Sequence, residues 1–470
     1  MSNERPAGRR ATLKMVVLVA LAGALGALGA ATLYVSVFDR SRETPNPFFG
    51  VVSLDEDTVD PAVWGRNFPV QYESYRRTVD QQRTRFGGSE AFPRTPTSAD
   101  PRSVVAQSRL EEDPRLRIMW AGYPFSVDFR EERGHAFMLD DQAYSRRVSE
   151  FRQPGACLNC HASTYSAYRK LGKGDLALGF ERLSALSYGE ARKLVEHPVS
   201  CIDCHDPKTL KLRVTRPAFI QAIRAARAAG GEPGYDVNAR ASQDEMRSFV
   251  CGQCHAEYYI RTSDSRLSHP WSRGLTANEM YDYYDEIGYS DWTHPDTGAP
   301  LLKVQHPEFE MWNQGVHAHS GVACADCHMP YMRVGNIKVS DHHVRSPLLN
   351  VSRACQTCHR WSEQEVLARA EGIQEKTVAL RGRAVEALVA LVSDIGAARK
   401  AGAKEADLAE AQRLQRKGQF FVDFVESENS TGFHAPAEAS RILAEAIDLL
   451  RQGQVAVRRP AAAKGGRASH

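Results

Sequence analysis

The sequence predicts a mainly α chain with little sheet, long helices toward its C-terminal end, and a core organised around covalently attached groups. Three observations carry that expectation. All ten cysteines of the 470 residues fall into five Cys-x-x-Cys-His motifs. Apolar residues recur at helical steps through much of residues 362–450. No alternating sheet pattern stands out elsewhere.

The motifs are Cys157, Cys160, His161; Cys201, Cys204, His205; Cys251, Cys254, His255; Cys324, Cys327, His328; and Cys355, Cys358, His359. Two thiols one helical turn apart reach the two vinyl groups along one macrocycle edge, while the adjacent imidazole swings under the iron. A single copy could also be a zinc knuckle or a redox pair. Five copies with no stray cysteine point to five covalently bound haem c groups, and so to a multihaem cytochrome c.

Haem c is attached outside the cytoplasm, so an export signal is expected over residues 1–40. Arg9, Arg10 and Lys14 precede an uncharged stretch from Met15 to Phe38, which Asp39 and Arg40 close. At about 1.5 Å per residue a helix of that length crosses a hydrocarbon core of about 30 Å. Basic flanking charge holds its start in the cytoplasm, giving a periplasmic protein. Steps of small residues at 22–24 and 29–31 suit cleavage, while the length of the run suits an inner-membrane anchor; both readings stand. Arg9–Arg10 loosely resembles a twin-arginine signal, but that route carries folded proteins and haem attachment follows export. A formal charge of +3 argues against a nucleic-acid partner.

Residues 41–115, rich in Pro, Gly and scattered charge, read as an irregular, partly helical lead-in. Residues 116–360 form the pentahaem core, with motifs at intervals too uneven for a tandem repeat. Residues 361–455 form a region of long helices. Ser362 and Glu365 have capping-box spacing, and Val366, Ala370, Ile373, Thr377, Leu380, Ala384, Leu388, Leu391 and Ile395 follow on one face. Gly396 and Gly402 are expected to interrupt this helix; the pattern resumes from Leu408 to Val425, and a third helix runs from about Pro436 to Leu450. These helices either cap the haem core or form the seam of a homodimer. Residues 456–470 read as a disordered basic tail.

Each iron takes its motif histidine, and the sixth ligand decides its role. A second histidine makes a conductor; an open position makes a reaction site. Sixteen histidines less the five in motifs leave eleven, enough to fill every distal position. His135, His317, His342 and His434 sit in apolar or turn-forming surroundings, whereas His269 and His470 read as surface residues. On residues alone, an electron-transfer wire and an enzyme with one vacant iron both stand, and ligand binding to a high-spin haem separates them.

The strings around the motifs resemble the ammonia-forming pentahaem cytochrome c nitrite reductases over roughly residues 115–455. They are Trp120-Ala121-Gly122-Tyr123-Pro124-Phe125 with Arg133-Gly134-His135, Cys251 through Tyr259, Ser290-Asp291-Trp292-Thr293, Lys303 through Glu308, and Cys327-His328-Met329-Pro330. The resemblance implies that the haem at Cys157 and Cys160 is catalytic, with its distal face open and His161 on its iron, and that the other four relay electrons. His135, His317, His342 and His434 would be the relay distal ligands, with His343 a rival to His342. Arg147, Tyr258 and His306 would form the distal pocket, with Arg146 the rival of Arg147. One calcium ion would take the Glu257 carboxylate, the Tyr258 and Lys303 carbonyls and the Gln305 side chain, hard oxygen ligands that suit it.

The resemblance also implies six-electron reduction of nitrite to ammonium and a homodimer. Its donor would be a membrane quinol-oxidising multihaem cytochrome or a soluble multihaem carrier. Hydroxylamine and sulfite would be side substrates. The alternative is a multihaem electron-transfer cytochrome or a hydroxylamine-oxidising relative. In one respect the chain departs from much of the family: its first motif ends in His161 where lysine is usual, as in a subgroup it resembles, and that puts transfer of catalytic rate in doubt.

Overall fold

The computed structural model describes residues 8–41, 50–77, 82–335 and 337–458; for residues 8–12 and 37–41 it describes the backbone alone. The tail expected at 456–470 falls outside this from residue 459, and His470 with it. The chain divides between Ser53 and Leu54. The first unit holds the helix Gly8–Ser41, whose apolar run Leu13–Ser36 is long enough to cross a membrane and exposes its side chains throughout.

The second unit is helical with four small two-stranded antiparallel sheets among the described residues. Ala91–Pro93 pairs with Val104–Ala106, Tyr259–Ile260 with Leu267–Ser268, Trp292–Thr293 with Pro300–Leu301, and Tyr331–Val334 with Ile337–Ser340. The motifs lie on or beside short helices such as Leu158–His161, Cys201–Cys204 and Cys324–His328. One turn of helix is enough to put both thiols of a motif on one side.

Three long helices close the molecule. In Glu363–Lys400 the expected capping box forms: Glu365 N–H donates to Ser362 Oγ, and Ser362 N–H donates to Glu365 Oε2. Gly396 does not interrupt this helix, contrary to expectation; buried Ile395 and Gly396 continue its packed face, so tertiary contact offsets a glycine cost of about 1 kcal/mol. Gly402, at φ +85°, does end it. Glu405–Glu426 follows, and Pro436–Arg458 runs beyond the expected Leu450. Leu388, Leu391, Ile395, Phe420, Phe424, Ile442, Leu443 and Leu450 from these helices are fully buried in one cluster with Trp120, Phe249, Trp271 and Phe309. Burying each such side chain stabilises the fold by roughly 1.5–3 kcal/mol. The helices therefore cap the motif region.

Buried polar groups fix the motif loops to one another. The Arg216 guanidinium pairs with Asp203 at 2.8 Å and donates to the carbonyls of Asn159 and Ala162 at 2.5 and 2.9 Å. Gln253 accepts from the Thr215 N–H at 2.9 Å and donates to the Asp203 carbonyl at 3.2 Å. The first three motifs are thus tied through the residue just before each second cysteine. That residue is Asn159, Asp203, Gln253, Asp326 or Thr357 across the five, polar every time.

Candidate active site

No cysteine is paired in a disulfide, and all five motifs open on one continuous cavity of about 2540 Å³. Cys160 contacts Cys254, and Cys251 contacts Cys324. Cys204 lies near Cys254, and Cys327 near Cys355. The motifs therefore run in the spatial order first, third, fourth, fifth, with the second beside the third.

Four of the motif histidines face a second imidazole across this cavity. Ring centroids are 6.4 Å apart for His255 and His135, and 6.3 Å for each of the pairs His205 and His342, His328 and His434, and His359 and His317. Two imidazoles about 2 Å from a shared metal place their centroids roughly 6 Å apart. Burial pushes His135, His328 and His342 down to about 4, holding the neutral form that binds iron. The residues present fit four haems closed on both faces. His342, rather than His343, stands against His205.

Two glycines allow close backbone approaches beside the motifs. Gly315 precedes the short helix Val316–His319, and a Cβ there would lie 2.0 Å from the His434 carbonyl oxygen, so only glycine lets the His317 and His434 segments meet. Gly155, just ahead of Cys157, packs equally close; a Cβ would lie 2.2 Å from the Leu183 carbonyl oxygen.

His161 has no such partner ring among the described residues. Burial, then His306 and Arg147, push its imidazole down to about 3. His306 lies 6.1 Å from His255, but both Nδ1 atoms face the Glu308 carboxylate, at 3.8 and 3.9 Å. His306 therefore meets the outer edge of His255, leaving the Nε2 side to His135. Burial alone would raise the Glu308 carboxyl, but His306 and His255 hold it down to about 2, an anion at neutral pH. Arg147 turns inward, its guanidinium 4.3 Å from the Phe125 ring and its Nε buried without a hydrogen bond. Arg146 is at the surface, paired with Glu150 at 2.7 Å. Burial pushes the Tyr258 phenol well up, so it keeps its proton.

The four residues expected around a calcium ion are partly brought together. Glu257 is fully buried, with Oε1 accepting from Tyr284 O–H at 2.9 Å and Oε2 from the Gln305 backbone N–H at 2.6 Å. Gln305 Nε2 donates to the Lys303 carbonyl at 3.2 Å. Burial raises the Glu257 carboxyl well above its usual range, and no cationic side chain pairs with it among the described residues. A buried acid beside amide and carbonyl oxygens fits a hard cation. The Lys303 ammonium is turned away, 3.0 Å from Asp423 and 2.8 Å from Ser427 Oγ, with its charge 4.8 Å from the Trp120 ring centroid. Asp423 Oδ2 also accepts from the Val304 N–H at 3.0 Å, which ties the Lys303–His306 segment to a long helix.

Sequence reasoning misread one residue and missed others. His269 is not a surface residue: it packs 4.6 Å from Trp271, and its Nδ1 lies 2.9 Å from the Glu257 carbonyl oxygen. Glu132, Tyr123 and Asp423 were missed. Tyr123, inside the Trp120–Phe125 string, stands near Gln305 and Arg147. Glu132 stands beside His161.

The cytochrome c552 family model matches residues 60–470. The chain belongs to that family. A cytochrome c-552 of Bacteroides fragilis is 34% identical over 438 residues, 92% of this chain and 81% of that one. The cytochrome c nitrite reductase subunit NrfA of Nitratidesulfovibrio vulgaris is 32% identical over 450 residues, 90% of this chain and 82% of its own. Among solved structures, the cytochrome c nitrite reductase catalytic subunit of Desulfovibrio desulfuricans, described with two calcium sites, superposes with a TM-score of 0.74 at 28% identity. That match covers 86% of this chain and 87% of the other. The cytochrome c552 family accounts for the five Cys-x-x-Cys-His motifs and the mainly helical fold.

Proposed function

We propose that this cytochrome c552 reduces nitrite to ammonium at the haem held by Cys157, Cys160 and His161. One observation carries the reading: four motif histidines face a second imidazole at 6.3–6.4 Å, whereas His161 faces none among the described residues. The names of two relatives, both cytochrome c nitrite reductases, point the same way.

When bound, the first haem supplies an iron for the nitrite nitrogen and a path for six electrons. The chain's own groups do the rest. Arg147 attracts the anion and binds its oxygens, since a buried guanidinium in a low-dielectric cavity acts strongly on a small charge. His306, with its Nδ1 toward Glu308, is oriented to serve as the proton donor. Tyr258, kept neutral, donates a hydrogen bond to the bound oxygen side. Eight protons and six electrons turn one nitrite into ammonium and two waters. His135, His342, His434 and His317 would close the other four irons, and the spatial order of the motifs supports a relay into the first through the third. A calcium ion at Glu257, Tyr258, Lys303 and Gln305 would hold Tyr258 and His306, which adjoin those ligands in sequence, in one rigid segment.

The leading helix Gly8–Ser41 is compatible with a signal or anchor, and we infer that the second unit works in the periplasm. A homodimer, and a donor that is either a membrane quinol-oxidising multihaem cytochrome or a soluble multihaem carrier, complete the proposal. The test is ammonium production from nitrite with a reduced dye as donor, alongside spectra. One high-spin haem that binds nitrite or cyanide is expected; five low-spin haems inert to both ligands would leave only the electron-transfer reading.

A further inference from the structure

We propose that Phe125 is a positioning residue for Arg147, its ring holding the guanidinium in the cavity of the first motif without neutralising it. The proposal rests on the reading that Arg147 receives the substrate anion. It adds how a cation is kept in place there with no acid spent on it.

The Arg147 guanidinium carbon stands over the Phe125 ring, 4.3 Å from its centroid, and lies 6.0 Å from the centroid of Phe129. Attraction of a cation to a ring face extends to about 6 Å. Arg147 Nε is buried and makes no hydrogen bond. Glu132 stands nearby and makes no ion pair with it. Other arginines over rings are built differently. Arg133 over Phe137, Arg109 over Phe129 and Arg213 over Tyr165 also pair with Asp141, Glu131 and Glu56, at 2.8, 2.9 and 2.9 Å. Among the described residues, every arginine that stands over a ring has such a carboxylate except Arg147. Lys303, a second cation over Phe125 at 5.0 Å, is likewise spent on Asp423 at 3.0 Å.

The ring itself is fixed. Phe125 packs against Tyr123, Trp120 and Phe129, with centroids 5.6, 6.0 and 5.0 Å away, and Trp120 is fully buried. The turn that carries it is closed by the Ser126 N–H, which donates to the Tyr123 carbonyl at 2.9 Å. The helix Arg146–Glu150 is tied to the same stretch, because the Arg146 N–H donates to Asp128 Oδ2 at 2.8 Å. Ring and guanidinium are therefore set against each other by a hydrogen bond three residues from one and one residue from the other. A carboxylate would hold the arginine as firmly, but it would cancel the charge and occupy the N–H groups that bind an anion's oxygens. A ring attracts the cation and supplies no negative charge, so the guanidinium stays available to nitrite.

The experiment compares the five-haem protein with F125L, F125Y, R147A and the double variant F125L/R147A. Nitrite affinity is read on the oxidised protein, where no turnover follows binding, from the absorption of the first haem; KM and kcat are read with a reduced dye as donor. In F125L the dissociation constant and KM are expected to rise about tenfold, the worth of a desolvated cation–π contact, with kcat little changed. F125Y keeps the ring face and is expected to stay within about twofold of the unaltered protein. In the R147A background F125L is expected to add nothing, because the ring then has no cation to hold. The four relay spectra check that the fold is kept, and F125M takes the place of F125L should the latter lose haems. Unchanged affinity in F125L would overturn the proposal and leave the Arg146–Glu150 helix alone to aim Arg147. An equal loss in both backgrounds would overturn it too, since Phe125 would then act by packing. If the unaltered protein binds no nitrite, or R147A binds it equally well, the reading of Arg147 fails instead, so the two failures are distinct.

Discussion

The first motif and the other four share one Cys-x-x-Cys-His pattern, yet their surroundings differ. At the relay sites a second imidazole stands 6.3–6.4 Å from the motif histidine, brought from the Gly134, Gly315, hairpin and His434 segments. At the first motif no second imidazole faces His161 among the described residues; Arg147 and His306 stand near it, and Tyr258 stands near Cys157 and Cys160. An iron closed by two strong-field nitrogens exchanges electrons with little rearrangement, whereas an iron with a free face can bind and polarise an anion. The lesson is that Cys-x-x-Cys-His specifies attachment, and the segment folded over the other face specifies function.

That contrast can be broken outright. Replacing His342 by alanine is expected to turn one relay iron into a second high-spin, cyanide-binding haem with all five groups still attached; an unchanged spin state would show that His342 does not close the iron above His205. The next largest effect lies in the pocket. His306→Ala is expected to lower nitrite turnover by about 10²–10⁴, the usual worth of a positioned proton donor, with the relay spectra intact. Activity within a factor of two of the unaltered protein would remove His306 from the mechanism.

The pair Arg147 and Arg146 sharpens the comparison further. Arg147→Ala is expected to cost about 10²–10³ in kcat/KM for nitrite, as loss of one preorganised charge donor does. Arg146→Ala, at the surface beside Glu150, is expected to leave kcat/KM unchanged. Equal losses in both would mean that the guanidinium acts only through the shape of the Arg146–Glu150 helix. A smaller effect, on stability rather than rate, is expected from Asp423→Asn. It leaves the buried Lys303 ammonium without its anion, at a cost of about 3–5 kcal/mol in denaturant unfolding. A change below 1 kcal/mol would mean that Ser427 and the Trp120 ring suffice.

Much of this was legible before any coordinates. The five attachment sites, the Ser362 capping box, the apolar face through Ile395 and the strings holding Tyr258, His306 and Glu257 are all local, and local spacing is what a sequence displays. Other features were not. Gly396 reads as a break but sits inside a packed helix, because burial of its neighbours outweighs its propensity. His269 reads as solvated in Ser-His-Pro but is folded onto Trp271 and the Glu257 carbonyl. Arg146 and Arg147 are adjacent and chemically identical, and only the course of the short helix Arg146–Glu150 sends one inward and the other outward.

The sequence by itself determined that five haems are attached, that an apolar helix long enough to cross a membrane precedes them, and that long helices follow them, because covalent chemistry, membrane thickness and helical period all act within a few residues. Tertiary structure alone decided which histidine faces which motif histidine and that His161 faces none among the described residues, since each pair joins segments up to 137 residues apart, as for His205 and His342. Opposition across a cavity depends on the three-dimensional path of the chain, and no spacing along the chain encodes it.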